Sequence, residues 1–343
     1  MCASFQTYFS VIGVNYHRGI ASVIYWKGKY SMKLISIVVP AYNEEANISS
    51  MYSKLVQELE LLPYRYEIMF INDGSRDGTL QEILTLAEKH NSVKYISLTR
   101  NFGKEAAILA GLKRVKGDAA ILMDSDLQHP PTLIRQMAEG FEEGFHQVVA
   151  KRSRSGDPKF RSMMSSMYYR LINSITDVDL ADGEGDFRLL SRKAINSILT
   201  LSESNRFSKG LFSWIGLSKK TISYENVVRE GGTSKWSFGS LVNYGVDGII
   251  SFNTKPLRIC FYTGFIVLFV SLLYIGFTLY QILKEGVGAP GYFTTITAIL
   301  LLGGIQLISL GVIGEYIGRI YNETKQRPNF LVDISNVDEY DES

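Results

Sequence analysis

Two stretches near the C-terminal end constrain this chain more than anything before them. Residues 259–283 and 292–314 carry no charged side chain. Each exceeds the roughly 20 residues that a helix needs to cross the hydrocarbon core of a bilayer. Core helices of soluble domains seldom run so far without a charge, so the pair reads as a transmembrane hairpin. The connection, 284–291, is short and rich in glycine, and it returns the chain to the side it came from. Charge assigns that side. Lys255 and Arg258 precede the first span, and Arg319, Lys325 and Arg327 follow the second, while the loop holds Lys284 beside Glu285. The positive-inside rule places both flanks in the cytoplasm. A membrane region over 241–343 is expected, with spans at about 257–283 and 292–317 and a cytoplasmic tail. The charge-free stretches offer no ion or proton path. Gly304, Gly311, Gly314 and Gly318 favour close helix contact, from which a homo-oligomer is expected.

The chain as a whole is nearly neutral: 36 Lys and Arg against 34 Asp and Glu. That balance supplies no basic face for nucleic acid. The cysteines, Cys2 and Cys260, are too few and too far apart for a disulfide framework, which fits a reducing compartment. Residues 1–31 show no clear period and no ordered signal-peptide regions. Met32-Lys33, directly before an apolar run, looks like a natural start, so 1–31 is expected to be a non-essential extension.

From there to about residue 150 the chain alternates between two periodicities. "LISIVVP" (34–40) is a β-branched run suited to a strand buried on both faces. Ile48, Met51, Leu55, Leu59 and Leu62 follow at helical spacing. Strands at 66–73, 93–98, 119–124 and 146–150 are expected to alternate with helices at 79–89, 104–115 and 131–143. Such alternation implies an α/β fold with a parallel, doubly wound sheet, whose ligands bind beyond the carboxyl ends of the strands.

Three of those strand ends carry acids or amides. The first ends in "PAYNEE", the second in "NDGSRDGT", the fourth in "DSDLQHPP". One Asp-Gly pair alone would be a plain turn; three acid-bearing loops on one edge suggest a site. In an extended segment Asp124 and Asp126 would face the same side. Their mutual repulsion calls for a cation, and Mg²⁺ or Mn²⁺ prefers such oxygen ligands together with phosphates and water. Gln128 adds a possible carbonyl oxygen. His129 is a lesser candidate, since imidazole suits softer metals.

In this order and spacing the three motifs resemble the GT-A fold of the family 2 glycosyltransferases, over roughly residues 34–240. "RNFGKEAAILAGL", "GDFRLLSR", "RFSKGLFSWIG", "GGTSKWSF" and "SFNTKPLR", followed by two spans, narrow the resemblance further. They look like the polyprenyl-phosphate glycosyltransferases, among them dolichol-phosphate mannose synthases and bacterial undecaprenyl-phosphate glucosyltransferases of the GtrB kind. The implied architecture is a GT-A domain over 32–240, a mostly parallel Rossmann-like sheet with interfacial helices, followed by the membrane hairpin.

The resemblance also implies roles. Pro40, Tyr42 and Glu44 would line the nucleotide site, and Ile71 and Asp73 would hold base and ribose. Asp124 and Ser125 would contact ribose and phosphates, Asp126 and Gln128 would ligate the metal, and Arg152 would pair with phosphate. Arg229 and Lys235 would serve the donor diphosphate or the lipid phosphate, with Arg206 and Lys209 also set for the lipid phosphate. Asp186 would bind a sugar hydroxyl or handle a proton, oriented by Arg188. Two positions depart from the pattern: Asn72 stands where a second Asp is frequent, and His129 where Asp is frequent.

The implied reaction moves a sugar from a nucleotide to a polyprenyl phosphate, with inversion at the anomeric carbon. UDP-glucose is the expected donor; GDP-mannose and other nucleotide sugars are alternatives. Segments 160–175, 206–220 and 234–252 mix aromatics with Lys and Arg, as interfacial helices do. A processive synthase would need more spans, and a non-enzymatic scaffold would have no use for Glu44, Asp73, Asp124 and Asp126 together.

Overall fold

The computed structural model describes residues 33–153, 173, 183–203, 206–224, 255–285 and 291–337. The extension at 1–31, Arg229 and Lys235, the segment at 234–252 and nearly all of 160–175 lie outside the described residues. Eight strands form one sheet: β1 (Leu34–Ala41), β2 (Arg65–Asn72), β3 (Val93–Leu98), β4 (Ala119–Leu122), β5 (Gln147–Arg152), β6 (Glu184–Ser191), β7 (Lys219–Tyr224) and β8 (Val332–Ser335). Their spatial order is β7-β5-β6-β4-β1-β2-β3-β8.

The centre is as expected. β1 pairs in parallel with β2 and β4, and β2 with β3. β1 is buried along almost its whole length, as a β-branched strand between two helical layers must be. Helices α1 (Glu45–Leu59), α2 (Thr79–Lys89) and α4 (Leu133–Glu142) cover one face through Ile48, Met51, Leu55, Ile83 and Met137. Helices α3 (Lys104–Arg114), α5 (Arg192–Leu199) and α6 (Ser208–Trp214) cover the other through Ala107, Ile108, Ile195 and Phe212. Each large side chain so buried contributes about 1.5–3 kcal/mol. α3 packs closely because its sheet-facing residues are small: a Cβ on Gly111 would come within 2.5 Å of Val38 and 2.9 Å of Ile71.

Two features depart from the simple parallel alternation. β5 does not join β4; β6 lies between them and runs antiparallel to both. After the hairpin, the expected tail re-enters the sheet: β8 pairs antiparallel with β3, with Ser97 opposite Ile334. Phe330 and Val332 pack against the same core cluster as α3. The stretch 206–220 also differs from an interfacial helix. α6 turns Leu211 and Phe212 into the core, and Arg188 lies 3.9 Å over the Phe212 ring, while Trp214 stays exposed.

The hairpin helices are α7 (Lys255–Glu285) and α8 (Tyr292–Thr324), which touch each other. α7 places Pro256 in its first turn, where a missing amide donor is tolerated. Both contain a segment long and apolar enough to cross a membrane, Leu257–Gln281 and Leu301–Thr324. Large apolar side chains such as Phe265, Phe269, Leu272, Leu307 and Ile308 are exposed. α8 outruns its expected end near 317 and carries a Glu315–Arg319 pair at 3.7 Å in its last third. β8 follows the C-terminal end of α8 and ties that end of the hairpin to the sheet.

Candidate active site

The site forms where β1, β2 and β4 end and β6 begins. Two loops there are laced together by short polar contacts. Asn43 N–H donates to Ser75 Oγ at 3.0 Å, Arg76 N–H to Asn43 Oδ1 at 2.9 Å, Glu44 N–H to Thr79 Oγ1 at 2.9 Å, and Gly78 N–H to Glu45 at 2.9 Å. The "PAYNEE" and "NDGSRDGT" motifs therefore make one rigid wall. Pro40 is buried, while Tyr42 and Glu44 are half-buried along that wall. Asn72 uses both ends of its amide here, donating to Ser97 Oγ at 2.9 Å and accepting from Ser75 N–H at 3.1 Å. Gly74 has φ of 62°, and a Cβ would lie 2.3 Å from the Arg100 carbonyl carbon, so only glycine fits.

Asp73 is buried and holds the next loop. Its two carboxylate oxygens accept from the amides of Phe102 at 2.8 Å and Gly103 at 2.9 Å. Burial raises its pKa, a rise reduced by those amides and by Arg100. The Ile71 side chain is fully buried in the core beneath α3, leaving its backbone as the part nearest the site.

The "DSDLQH" stretch is a turn, not the extended segment assumed from sequence. β4 ends at Leu122, and Leu127 takes a left-handed φ of 59°, an uncommon conformation for a branched side chain that tends to occur at functional sites. Asp126 Oδ1 accepts from Gln128 N–H at 3.2 Å, and His129 Nδ1 accepts from Asp124 N–H at 3.3 Å. That bond places the proton of a neutral imidazole on Nε2. Burial lowers the His129 pKa, and its ring stacks on Phe187 at 4.8 Å. His129 thus closes the turn. Ser125 is buried within it.

Asp186 arrives from the inserted strand. β4 and β6 pair with Leu122 opposite Arg188, so carrying that register two residues further brings Asp186 beside Asp124. Two carboxylates so placed repel, and Lys104, at the start of α3, lies between them. Its Nζ is 2.7 Å from Asp124 and 2.6 Å from Asp186. Burial works against each charge, but the pairing prevails: Asp186 and then Asp124 raise the Lys104 pKa. Lys104, Lys209 and Arg188 hold the Asp186 carboxyl well below the usual carboxylate range. Arg188 donates to the Gly185 carbonyl at 2.6 Å, fixing the backbone next to Asp186. Tyr224, at the end of β7, completes this side. Burial raises its pKa, Arg152 opposes the rise, and Asp124 and Asp126 add to it. Arg152, Asp124 and Asp126 thus share one electrostatic neighbourhood.

Arg206 lies elsewhere. Its guanidinium is buried and donates to the Leu201 carbonyl at 2.6 Å and the Ile198 carbonyl at 3.4 Å, capping the end of α5. Lys209, by contrast, acts on Asp186. Lys104, Glu105 and Tyr224 were not assigned from sequence. Lys104 and Glu105 do stand in the quoted "RNFGKEAAILAGL" motif, whereas no local pattern marks Tyr224.

Among the described residues no three His, Cys, Asp or Glu side chains are grouped to hold a metal ion. The oxygen donors of Asp126 and Gln128 nonetheless suit a hard divalent cation that takes few protein ligands and completes its shell with phosphate and water.

Comparison with known proteins gives the family of the chain. The "Glycosyl transferase family 2" profile matches residues 36–199, and the "GtrB C-terminal hairpin" profile matches 255–320. A putative glycosyltransferase, CsbB, from Bacillus subtilis is 59% identical over 304 residues, covering 89% of this chain and 92% of its own. The chain belongs to glycosyl transferase family 2. A bactoprenol glucosyl transferase from Shigella phage SfX is 43% identical over 299 residues, covering 87% of this chain and 98% of its own. Among solved structures, a glucosyl-3-phosphoglycerate synthase from Mycobacterium tuberculosis, determined with Mn²⁺ and UDP-glucose, is 19% identical with a TM-score of 0.43. It covers 68% of this chain and 81% of that one, a likeness too distant to carry ligands across. The protein is therefore a membrane-associated glycosyltransferase with a GT-A-like catalytic domain and a GtrB-type hairpin.

Proposed function

We propose that this glycosyltransferase moves glucose from UDP-glucose to a polyprenyl phosphate of the undecaprenyl type at the cytoplasmic face of the membrane. The observation that carries this is the relation to the phage bactoprenol glucosyl transferase, which runs through both catalytic domain and hairpin. The positive flanks, Lys255 and Arg258 before α7 and Lys325 and Arg327 after α8, support the cytoplasmic side.

In the transfer, an oxygen of the acceptor phosphate forms a bond to the anomeric carbon. The bond from that carbon to the UDP β-phosphate oxygen breaks, and UDP leaves with the electron pair. The acceptor loses one negative charge and UDP gains one. A phosphate monoester has its second pKa at about 6, so the attacking oxygen is anionic near neutral pH and needs no base. The anomeric centre inverts, giving a β-linked product from an α-linked donor.

The chain's task is then to align two polyanions and stabilise the leaving group. Pro40, Tyr42, Glu44 and the Ile71 backbone line the base pocket, and Asp73 contributes through its remaining lone pairs. Asp124 and Ser125 meet the ribose and phosphates. Arg152 and Lys209 offset phosphate charge, joined by Arg229 and Lys235. Asp126 and Gln128 would hold Mg²⁺ or Mn²⁺, which supplies charge neutralisation at the diphosphate. The test is incubation of the purified full chain with radiolabelled UDP-glucose or GDP-mannose and a short polyprenyl phosphate. Label from UDP-glucose is expected in the organic phase. Transfer from GDP-mannose alone would replace the proposed donor.

A further inference from the structure

Oδ1 of Asp186 is buried and has no hydrogen-bond partner among the described residues, while Oδ2 is held by Lys104 at 2.6 Å. An ionised carboxylate can only accept hydrogen bonds, and a dry, unpartnered oxygen is unfavourable unless a donor arrives. The missing donor belongs to whatever fills the site.

Lys104 occupies its position through a chain of fixed contacts. Asp73 holds the amides of Phe102 and Gly103, which sets the first turn of α3. From there Lys104 reaches Asp124 and Asp186 together. Arg188 fixes the opposite flank through the Gly185 carbonyl. The carboxylate is thus gripped by one oxygen with the other turned inward.

Resting on the nucleotide-sugar reading above, we propose that Lys104 is a positioning residue that presents Asp186 Oδ1 as the acceptor for a hydroxyl of the donor sugar. Asp186 is then a sugar-binding and specificity residue, not a general base. Two considerations favour a hydroxyl donor. Lys104 already supplies the compensating charge, so the open oxygen suits a neutral donor better than a second cation. The phosphate nucleophile also carries no proton that a base must remove.

The experiment uses the full chain purified in detergent, with UDP and UDP-glucose binding measured by calorimetry for wild type, Asp186→Asn, Lys104→Met and Lys104→Arg. Asp186→Asn is expected to weaken UDP-glucose about tenfold or more, as a charged hydrogen bond warrants, and to leave UDP unchanged. Lys104→Met, which also releases Asp124, should weaken UDP-glucose more than UDP, with Lys104→Arg recovering much of the loss. A series of deoxyglucose donors should contain one whose binding Asp186→Asn no longer weakens, which identifies the hydroxyl. Unchanged UDP-glucose affinity in Asp186→Asn with a fall in kcat alone would mark a base and overturn the proposal. Equal weakening of UDP and UDP-glucose by Lys104→Met would place Lys104 at the diphosphate and overturn it too. Wild type that binds neither UDP nor UDP-glucose would overturn the nucleotide reading itself, and this inference with it.

Discussion

Glu105 accepts hydrogen bonds from both the backbone amide and the hydroxyl of Ser208, 103 residues further along the chain. The contact ties the first turn of α3, which carries Lys104, to the first turn of α6, which carries Lys209. Both lysines act on Asp186, so one carboxylate helps to set the spacing of two cations at the site.

That carboxylate should report on pH. Burial pushes the Glu105 carboxyl up from 4.5 to about 7, and the Asp186 charge adds to the rise, partly offset by the Ser208 donors and Lys104. A carboxyl raised on folding stabilises the native state below its unfolded pKa, and that contribution is lost as pH rises through the folded value. A shift of this size corresponds to about 3 kcal/mol, reduced by solvent at a half-buried position. Melting curves of wild type should therefore lose stability from this source between pH 4.5 and 7, and Glu105→Gln should flatten that slope. An unchanged slope in the variant would assign the pH response to another group.

Asp126 separates charge from shape. Its Oδ1 holds the Gln128 amide, an acceptor role that Asn can fill. Asp126→Asn should keep a normal melting temperature and lose transfer by a hundredfold or more, since charge stabilisation of a leaving diphosphate by a metal is worth several kcal/mol. Activity should vanish in EDTA and return with Mg²⁺ or Mn²⁺. Near wild-type turnover in EDTA would remove the metal from the mechanism.

Arg206 and the pair Arg229 and Lys235 should fail differently. Arg206→Ala strips the Ile198 and Leu201 carbonyls of a buried guanidinium and should cost about 2–4 kcal/mol of stability. Arg229→Ala and Lys235→Ala should melt like wild type and lose transfer to a short polyprenyl phosphate in detergent. Losses confined to anionic vesicles, and fading with salt, would instead make those two membrane anchors.

The returning strand should matter to the whole catalytic domain. Asn336 accepts from Tyr95 N–H at 2.7 Å and donates to the Val93 carbonyl at 3.2 Å, while Phe330 and Val332 pack on the core. Truncation before Phe330 should lower stability by about 2–4 kcal/mol and expose the β3 edge to aggregation. Asn336→Ala should give a smaller fall. A truncated protein that melts and stays monodisperse like wild type would show that β8 contributes little.

Much of this protein was legible in its sequence, for a local reason. The buried runs of β1 and β2, the helical spacing of Ile48, Met51, Leu55 and Leu59, and the two charge-free spans are patterns within one element, where burial and period leave a direct mark. The acid-bearing strand ends were legible too, because in a parallel sheet every such end falls on one edge. Strand order and register lie beyond that reach, since they depend on pairings between distant residues. Only the antiparallel insertion of β6 sets Asp186 beside Asp124, and only the packing of α3 against the sheet brings Lys104 between them. The same distance effects turned the "DSDLQH" stretch into a turn closed by His129, drew Arg206 inside to cap α5, and returned the tail to β3. A one-dimensional pattern specifies which residues want burial or charge; the tertiary fold decides which of them meet.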